Sequence, residues 1–303
     1  MRSLAAFTLR GRTQAAIATL GVMALSLVLP PAGLVSLALI ALVTLRNGGR
    51  EGLELVGLAA LFSAVAGSLA VGNPWAAAVY AVALWLPMWG VALVLRERIS
   101  LPLALQAAML LGILAVLGFF AWNKQPALFW ESFLSTLFRP MLENAPTPED
   151  AAQLKGHLVQ ASEYMTGIVA AGLATTLIMA LFLARWWQAE LFNPGGFGKE
   201  YLAIRAPGLL SLLTLGLLAT AVWGSEEIGR LCRNLLVVLT VLYLCIGTAT
   251  LHSLCANVRW RRWLLVLLYG VVFIVPQAIL PIALFGLADS WADWRRLKRP
   301  RAA

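Results

Sequence analysis

The sequence has little charge: Asp, Glu, Lys and Arg make up 12% of its 303 residues, where ordinary soluble domains carry roughly a quarter. That shortage excludes a domain solvated mainly by water. Histidine is rarer still, with only His157 and His252. There is no HExxH, no pair of mid-run aspartates, and no serine with a histidine placed to activate it, so membrane protease, zinc enzyme and proton pump lose support and no enzymatic activity is expected. Cysteine is limited to Cys232, Cys245 and Cys255, all in or at the end of one apolar stretch and without CxxC spacing. They read as buried small hydrophobes. No glycine-rich segment follows the GxGxxG or Walker A pattern, and no metal or cofactor is expected.

What is abundant is apolar. Hydrophobic residues reach 61%, twelve tryptophans are present, and the mean hydropathy is +0.83, a composition that fits a bilayer protein with aromatic belts at its interfaces. A membrane-crossing helix needs about 20 apolar residues. Apolar runs occupy roughly 14–29, 32–45, 53–72, 75–95, 101–121, 164–184, 207–223, 231–252 and 263–287. The expected fold is therefore all-α, one polytopic transmembrane bundle over 1–303 with eight or nine hydrophobic segments. The basic, apolar N-terminus resembles a signal peptide, but Leu29-Pro30-Pro31-Ala32-Gly33-Leu34 is a poor cleavage site and a second run follows at once, so it reads as a retained span. Pro30-Pro31 should divide the first two runs into a tight hairpin or a broken pair.

The formal charge of +9 does not point to nucleic acid, because Lys and Arg lie in short clusters between the runs. Arg2, Arg10 and Arg12, Arg46 and Arg50, Arg96 and Arg98, Arg185, Lys199 and Arg205, and Arg259, Arg261 and Arg262 mark one side, which should be the cytoplasm. The alternate connections, 30–31, 72–75, 122–162 and 223–227, should face the periplasm. Nine crossings would place the basic tail, 288–303, outside. A kinked last run at Pro276 and Pro281, or a short opening pair, resolves this in favour of a cytoplasmic tail. The localisation expected is multi-pass, in a bacterial inner membrane.

Within 122–162, Phe129, Trp130, Phe133, Leu134, Leu137, Phe138, Met141 and Leu142 recur at helical spacing. They predict an amphipathic periplasmic helix, lying on the membrane, packing on the bundle or, as a third reading, covering a pocket. Thr147-Pro148-Glu149-Asp150 reads as a helix start, with a helix that runs on into the span at 164–184. Small residues spaced by four, Ala60, Ala64 and Ser68, and Gly172, Thr176, Ala180 and Ala184, are suited to close helix packing. The loop of Trp186, Trp187, Asn193, Pro194, Gly195, Gly196 and Phe197 is the candidate contact for a membrane or cytoplasmic protein partner: its tryptophans anchor a helix end, Asn193-Pro194-Gly195-Gly196 stops that helix, and Arg185, Lys199 and Glu200 are solvated. Trp85 and Trp89 flank Pro87 at a kink that reads first as ordinary helix packing and second as a cavity wall; with Gln106, Trp130 and Phe133 they are the candidate cavity or lid residues. Arg230 and Glu163 sit at run ends, where snorkelling suffices, and Asn234 and Gln277 are placed to bond across helices.

Three stretches in order, Leu45-Arg46-Asn47-Gly48, the Trp186–Lys199 loop and Gly286-Leu287-Ala288-Asp289-Ser290-Trp291-Ala292-Asp293-Trp294-Arg295, resemble the proteobacterial branch of the YybS-like family of bacterial membrane proteins of unknown function. That resemblance implies a fold similar to the substrate-binding S components of energy-coupling-factor transporters, with an outward-opening pocket and a coupling surface. Where S components carry Ala-x-x-x-Ala on the first helix, this chain has Ala15 and Thr19. The functional expectation is a transporter-like protein binding a small solute from the periplasm. The competing expectation is a non-transporting scaffold that recruits partners through the Trp186–Lys199 loop and the basic tail.

Overall fold

The computed structural model describes residues 2–72, 74–256, 258–292 and 294–295, so Arg296, Lys298, Arg299 and Arg301 of the expected tail lie outside the described residues. Among the described residues there is no strand. The chain runs α1 (Arg2–Thr8), α2 (Arg12–Ser26), α3 (Ala32–Asn47), α4 (Gly49–Val71), α5 (Pro74–Arg98), α6 (Leu101–Trp122), α7 (Pro126–Leu137) and α8 (Arg139–Glu143). It continues through α9 (Pro148–Ser162), α10 (Met165–Phe192), α11 (Gly196–Leu202), α12 (Gly208–Trp223), α13 (Glu226–Leu254) and α14 (Arg261–Ile274), then a 3-10 turn at Pro276–Ala278 and α15 (Ile279–Ala292).

The all-α class is as expected; the number of crossings is corrected. Among the described residues, α4 over Gly49–Leu69, α6, α10 and α13 are long and apolar enough to cross a bilayer, and α14 with α15 makes a fifth span only if that bent pair is counted as one. Eight or nine crossings are not supported. Length separates the counts: α3 and α12 have 16 residues each, short of the about 20 that a full crossing ordinarily takes, so that either crosses only where the bilayer is locally thin. Proline shortens the last run as well, since α14 and α15 meet at Pro276 with a bend of 116°.

The chain folds as two compact units, 1–108 with 175–204, and 109–174 with 205–303. In the first, α2 and α3 pack across the Pro30-Pro31 turn, which makes the opening pair a hairpin. Helix α3 is its centre. Ten consecutive residues, Ser36 to Leu45, are buried, and a helix apolar all round is stable only when other elements cover every face. Its end is tightly built. Arg96 of α5 donates to the carbonyl oxygen of Leu45 at 2.7 Å, satisfying one of the acceptors that a helix terminus leaves open. Gly48 then turns the chain into α4 at φ 122°, a conformation open essentially only to glycine.

In the second unit α12 is inside-out by the standards of water. It buries Ser211 and Thr214 while Leu209, Leu212, Leu213, Leu218 and Val222 are exposed. The Thr214 hydroxyl meets the Tyr243 hydroxyl of α13 at 2.8 Å. Small polar groups inward and leucines outward is the pattern of helices whose solvent is lipid. Exposed Trp122, Trp223, Trp260 and Trp263 stand at helix ends, as interfacial tryptophans do.

The 122–162 segment holds three helices, α7, α8 and α9, where the sequence predicts an amphipathic helix and a second one opening at Thr147. The apolar run 129–142 breaks at Phe138, because Pro140 two residues on cannot sit inside a continuing helix. Helix α7 packs against α9 through Leu134, while Phe129, Phe133, Leu137 and Met141 form an exposed stripe at four-residue spacing. Thr147 does cap α9, its hydroxyl accepting from the Asp150 amide at 3.1 Å, but α9 stops at Ser162 and does not continue into α10.

Helices α13 and α15 approach most closely where each has a glycine. A Cβ on Gly247 would overlap the Ile282 carbonyl oxygen, and one on Gly286 the Tyr243 carbonyl oxygen. Beside this contact lies a buried charge cluster. Arg295 Nε is 3.0 Å from Asp289 Oδ2, the guanidinium donates to Thr250 Oγ1 at 2.7 Å, and the Thr250 hydroxyl donates to Asp289 at 3.0 Å. By sequence Arg295 belongs to a basic cytoplasmic tail over 288–303. In the structure its side chain is 6% exposed, and residues 288–292 are the last turn of α15. Removing one partner of such a pair costs about 3–5 kcal/mol, whereas an apolar replacement of both is often tolerated. Asp289→Ala or Arg295→Ala is therefore expected to lower the unfolding midpoint sharply in a detergent melt, and Asp289→Leu with Arg295→Met to recover most of the loss.

Candidate binding site

The second unit contains a cavity of about 940 Å³ at the ends of α6, α9 and α13 and along α7. Its apolar wall includes Leu117 and Phe120 from α6, Leu128 from α7 and Leu231 from α13; its polar wall has Lys124, Glu131, Glu163, Glu226, Glu227 and Arg230. A concave site with apolar walls and a few convergent charged groups is the usual form of a small-molecule site. Four carboxylates face two cations here. Arg230 is already engaged, its Nε 2.6 Å from Glu163 Oε2 and its Nη2 3.3 Å from Glu226 Oε1.

One side chain fixes this corner. The α9–α10 break at Glu163 and Tyr164 leaves backbone groups without helical partners, and buried Asn234 of α13 supplies them. Its Nδ2 donates to the Glu163 carbonyl oxygen at 2.8 Å and to that of Arg230 at 2.9 Å. Its Oδ1 accepts from the Gly167 amide at 2.6 Å. A Cβ on Gly167 would lie 2.6 Å from the Asn234 carbonyl oxygen, so the two helices can touch there only with glycine. One residue earlier on α10, Thr166 Oγ1 accepts from Trp130 Nε1 at 2.8 Å, and Trp130 sits among Phe119, Phe129 and Phe133.

The sequence-derived candidates fall in different places. Trp85, Trp89 and Gln106 belong to the first unit, Trp130 and Phe133 to the second. None of them lines the large cavity; Leu128 and Glu131, their neighbours on α7, do. Trp85 is buried, and Trp89 Nε1 donates to the Gly49 carbonyl oxygen at 2.7 Å, so both act in packing around α4. Gln106 is half-buried.

The Trp186–Phe197 loop is partly gathered. Asn193, Gly196 and Phe197 line a small cavity of about 80 Å³ with Arg185, Gln188 and Glu200. Pro194 and Gly195 are exposed, and Gly195 carries the turn at φ 81°. The tryptophans separate: Trp186 is exposed, whereas Trp187 is buried and so is no interfacial anchor. The charges are not simply solvated either. Arg185 forms a two-point ion pair with Glu200, with one bond at 2.8 Å from its Nε, and also donates to Gln188. Arg46 covers the Phe192 ring at 4.1 Å.

Two arrangements escaped the sequence reading. Arg230 and Glu163 pair across 67 residues, and the only sequence signal was that each stands just outside the start of an apolar run, the two runs being separated by a third. Asp289 and Arg295 follow the last run, six positions apart in a segment that otherwise reads as a basic tail, and carried no comparable signal.

Inside-out helices, tryptophans at helix ends and spans of adequate length define a multi-pass helical membrane protein. The family model described as "Predicted membrane protein (DUF2232)" matches residues 16–290, and the chain belongs to that family. No curated protein and no solved structure matches it.

Because a buried donor or acceptor left without its partner costs about 1–3 kcal/mol, Asn234→Leu is expected to destabilise the protein by at least that much and to loosen the start of α10. Hydrogen exchange at Gly167 and its neighbours should accelerate, while the amides of α3 stay protected.

Proposed function

We propose that this chain is a multi-pass protein of a bacterial inner membrane that binds a small amphipathic solute from the periplasmic side, in the cavity bounded by α6, α7, α9 and α13, and carries out no covalent chemistry on it. The cavity itself supports this reading: 940 Å³ is within the usual range for ligand sites, and its polar wall is charged where its floor is apolar. Residues 123–131, 162–163 and 226–228 are on the side that the Lys and Arg distribution assigns to the periplasm. With Arg230 neutralised by its own carboxylate partners, the remaining wall favours a positively charged group on the solute over an anion.

The kinship to YybS-like proteins and to energy-coupling-factor S components belongs to this reading as an analogy of architecture. Its coupling face is not carried over. Ala15 and Thr19 are buried, at 3% and 0% exposure, and offer no docking surface. The scaffold alternative loses its main support for a similar reason, since the loop's Trp187, Arg185 and Glu200 are spent on internal contacts.

Native mass spectrometry of the protein released from nanodiscs, together with a thermal-shift panel of alkyl amines, carboxylates and neutral alcohols, tests the proposal. Saturation at a hundred times Kd adds about 2.7 kcal/mol to stability. The expected result is a raised midpoint with an amine, lost in Glu131→Gln with Glu227→Gln. A panel without effect and a protein carrying no small molecule or lipid would refute it.

A further inference from the structure

We infer that residues 261–292 form a re-entrant hairpin, entering and leaving the membrane on one face with its apex at about mid-depth, so that the C-terminal tail emerges beside Arg259, Arg261 and Arg262. The register between α13 and α15 carries the inference. The glycine contact is reciprocal: each glycine meets the carbonyl oxygen of the residue four earlier on the other helix, Gly247 against Ile282 and Gly286 against Tyr243. Gly247 and Gly286 are 39 positions apart, and so are Thr250 and Asp289, which bond at 3.0 Å. A constant offset means that the helices run parallel. In an antiparallel pair crossing at the glycines, Thr250 and Asp289 would each lie three residues beyond the crossing in opposite directions, about 9 Å apart along the axis, too far for that bond.

The offset also sets the depth of the turn. Shifted by 39, Pro276–Ala278 is level with residues 237–239 of α13, near the middle of that 29-residue helix. Roughly 16 Å of α13 remains between the apex and Glu226. Ala292 is level with residue 253, beside the end of α13 at Leu254. Helix α14 leaves from that same end, and His252 of α13 meets Tyr269 of α14 at 2.9 Å. Both ends of the hairpin are thus at the Leu254 end of α13, and the 116° bend between its arms is the turn-back that such an element requires. Arg295, bonded to Thr250 and to the Ile246 carbonyl oxygen at 3.4 Å, fastens the returning arm at that level. Since Arg259, Arg261 and Arg262 mark the cytoplasmic face by the positive-inside rule, the tail is cytoplasmic.

Single-cysteine labelling with a membrane-impermeant maleimide tests this, in a background of Cys232→Ala, Cys245→Ala and Cys255→Ala. Ser225→Cys, Ala256→Cys and Ala302→Cys are each compared in intact spheroplasts and in inverted vesicles. The expected outcome is that Ala256→Cys and Ala302→Cys label in inverted vesicles, and Ser225→Cys in spheroplasts. Labelling of Ala302→Cys in the same preparation as Ser225→Cys, or in both preparations, would overturn the hairpin. A C-terminal green fluorescent protein fusion to the natural chain, which fluoresces only in the cytoplasm, gives an independent reading should the cysteine-free background insert poorly; a dark fusion present in the membrane would likewise overturn it.

Discussion

Hydrocarbon offers no hydrogen-bond partner, and at several places where a helix in this protein stops or breaks, a side chain from a neighbouring helix supplies one. Arg96 does this at the end of α3 and Asn234 at the α9–α10 break, where one carboxamide serves both sides of the interruption. Arg295 does it beside Ile246 and Thr250. Threonines handle the same demand on a smaller scale. Thr44, Thr214, Thr240 and Thr248 each return their hydroxyl proton to the carbonyl oxygen four residues earlier, which lets a polar side chain lie in a helix without leaving a group unpaired.

The large cavity depends on this arrangement. Its charged wall is assembled at the α9–α10 break and the start of α13, and Asn234 joins the two. Glu163 then has its backbone held by Asn234 and its carboxylate held by Arg230, so the charged rim is fixed by elements that also fix the helix ends. A wall built this way is preorganised, and little ordering is left to be done when a ligand arrives.

The membrane class, the helical content, the Thr147 cap and the Pro30-Pro31 hairpin were legible in the sequence because each rests on composition or on neighbouring residues. The number of crossings was not. Apolar runs report burial in a non-aqueous environment, but 16 residues of α12 and 14 of α15 are as apolar as the longer helices, and composition alone does not give the length of each helix. Trp187 and Trp186 are adjacent and chemically identical, and one is buried while the other faces out. The site was half legible. Residue 122–162 drew notice as the outer element, yet the side chains that line the cavity, Lys124, Glu131 and Glu163 with Glu226, Glu227 and Arg230, are joined by contacts spanning more than sixty positions, a range over which no local pattern operates.

A helix pair confined to the cytoplasmic half of the bilayer also acts on the lipid. The apex residues Phe273, Ile274, Val275 and Leu280 are exposed and apolar, so acyl chains of the opposite monolayer can fill most of the space above them, with Gln277 the one exposed polar side chain of the turn. Such a pair displaces lipid from the leaflet it enters and not from the other. Its insertion loads the two monolayers unequally, and that asymmetry couples its preferred surroundings to membrane curvature and lateral pressure.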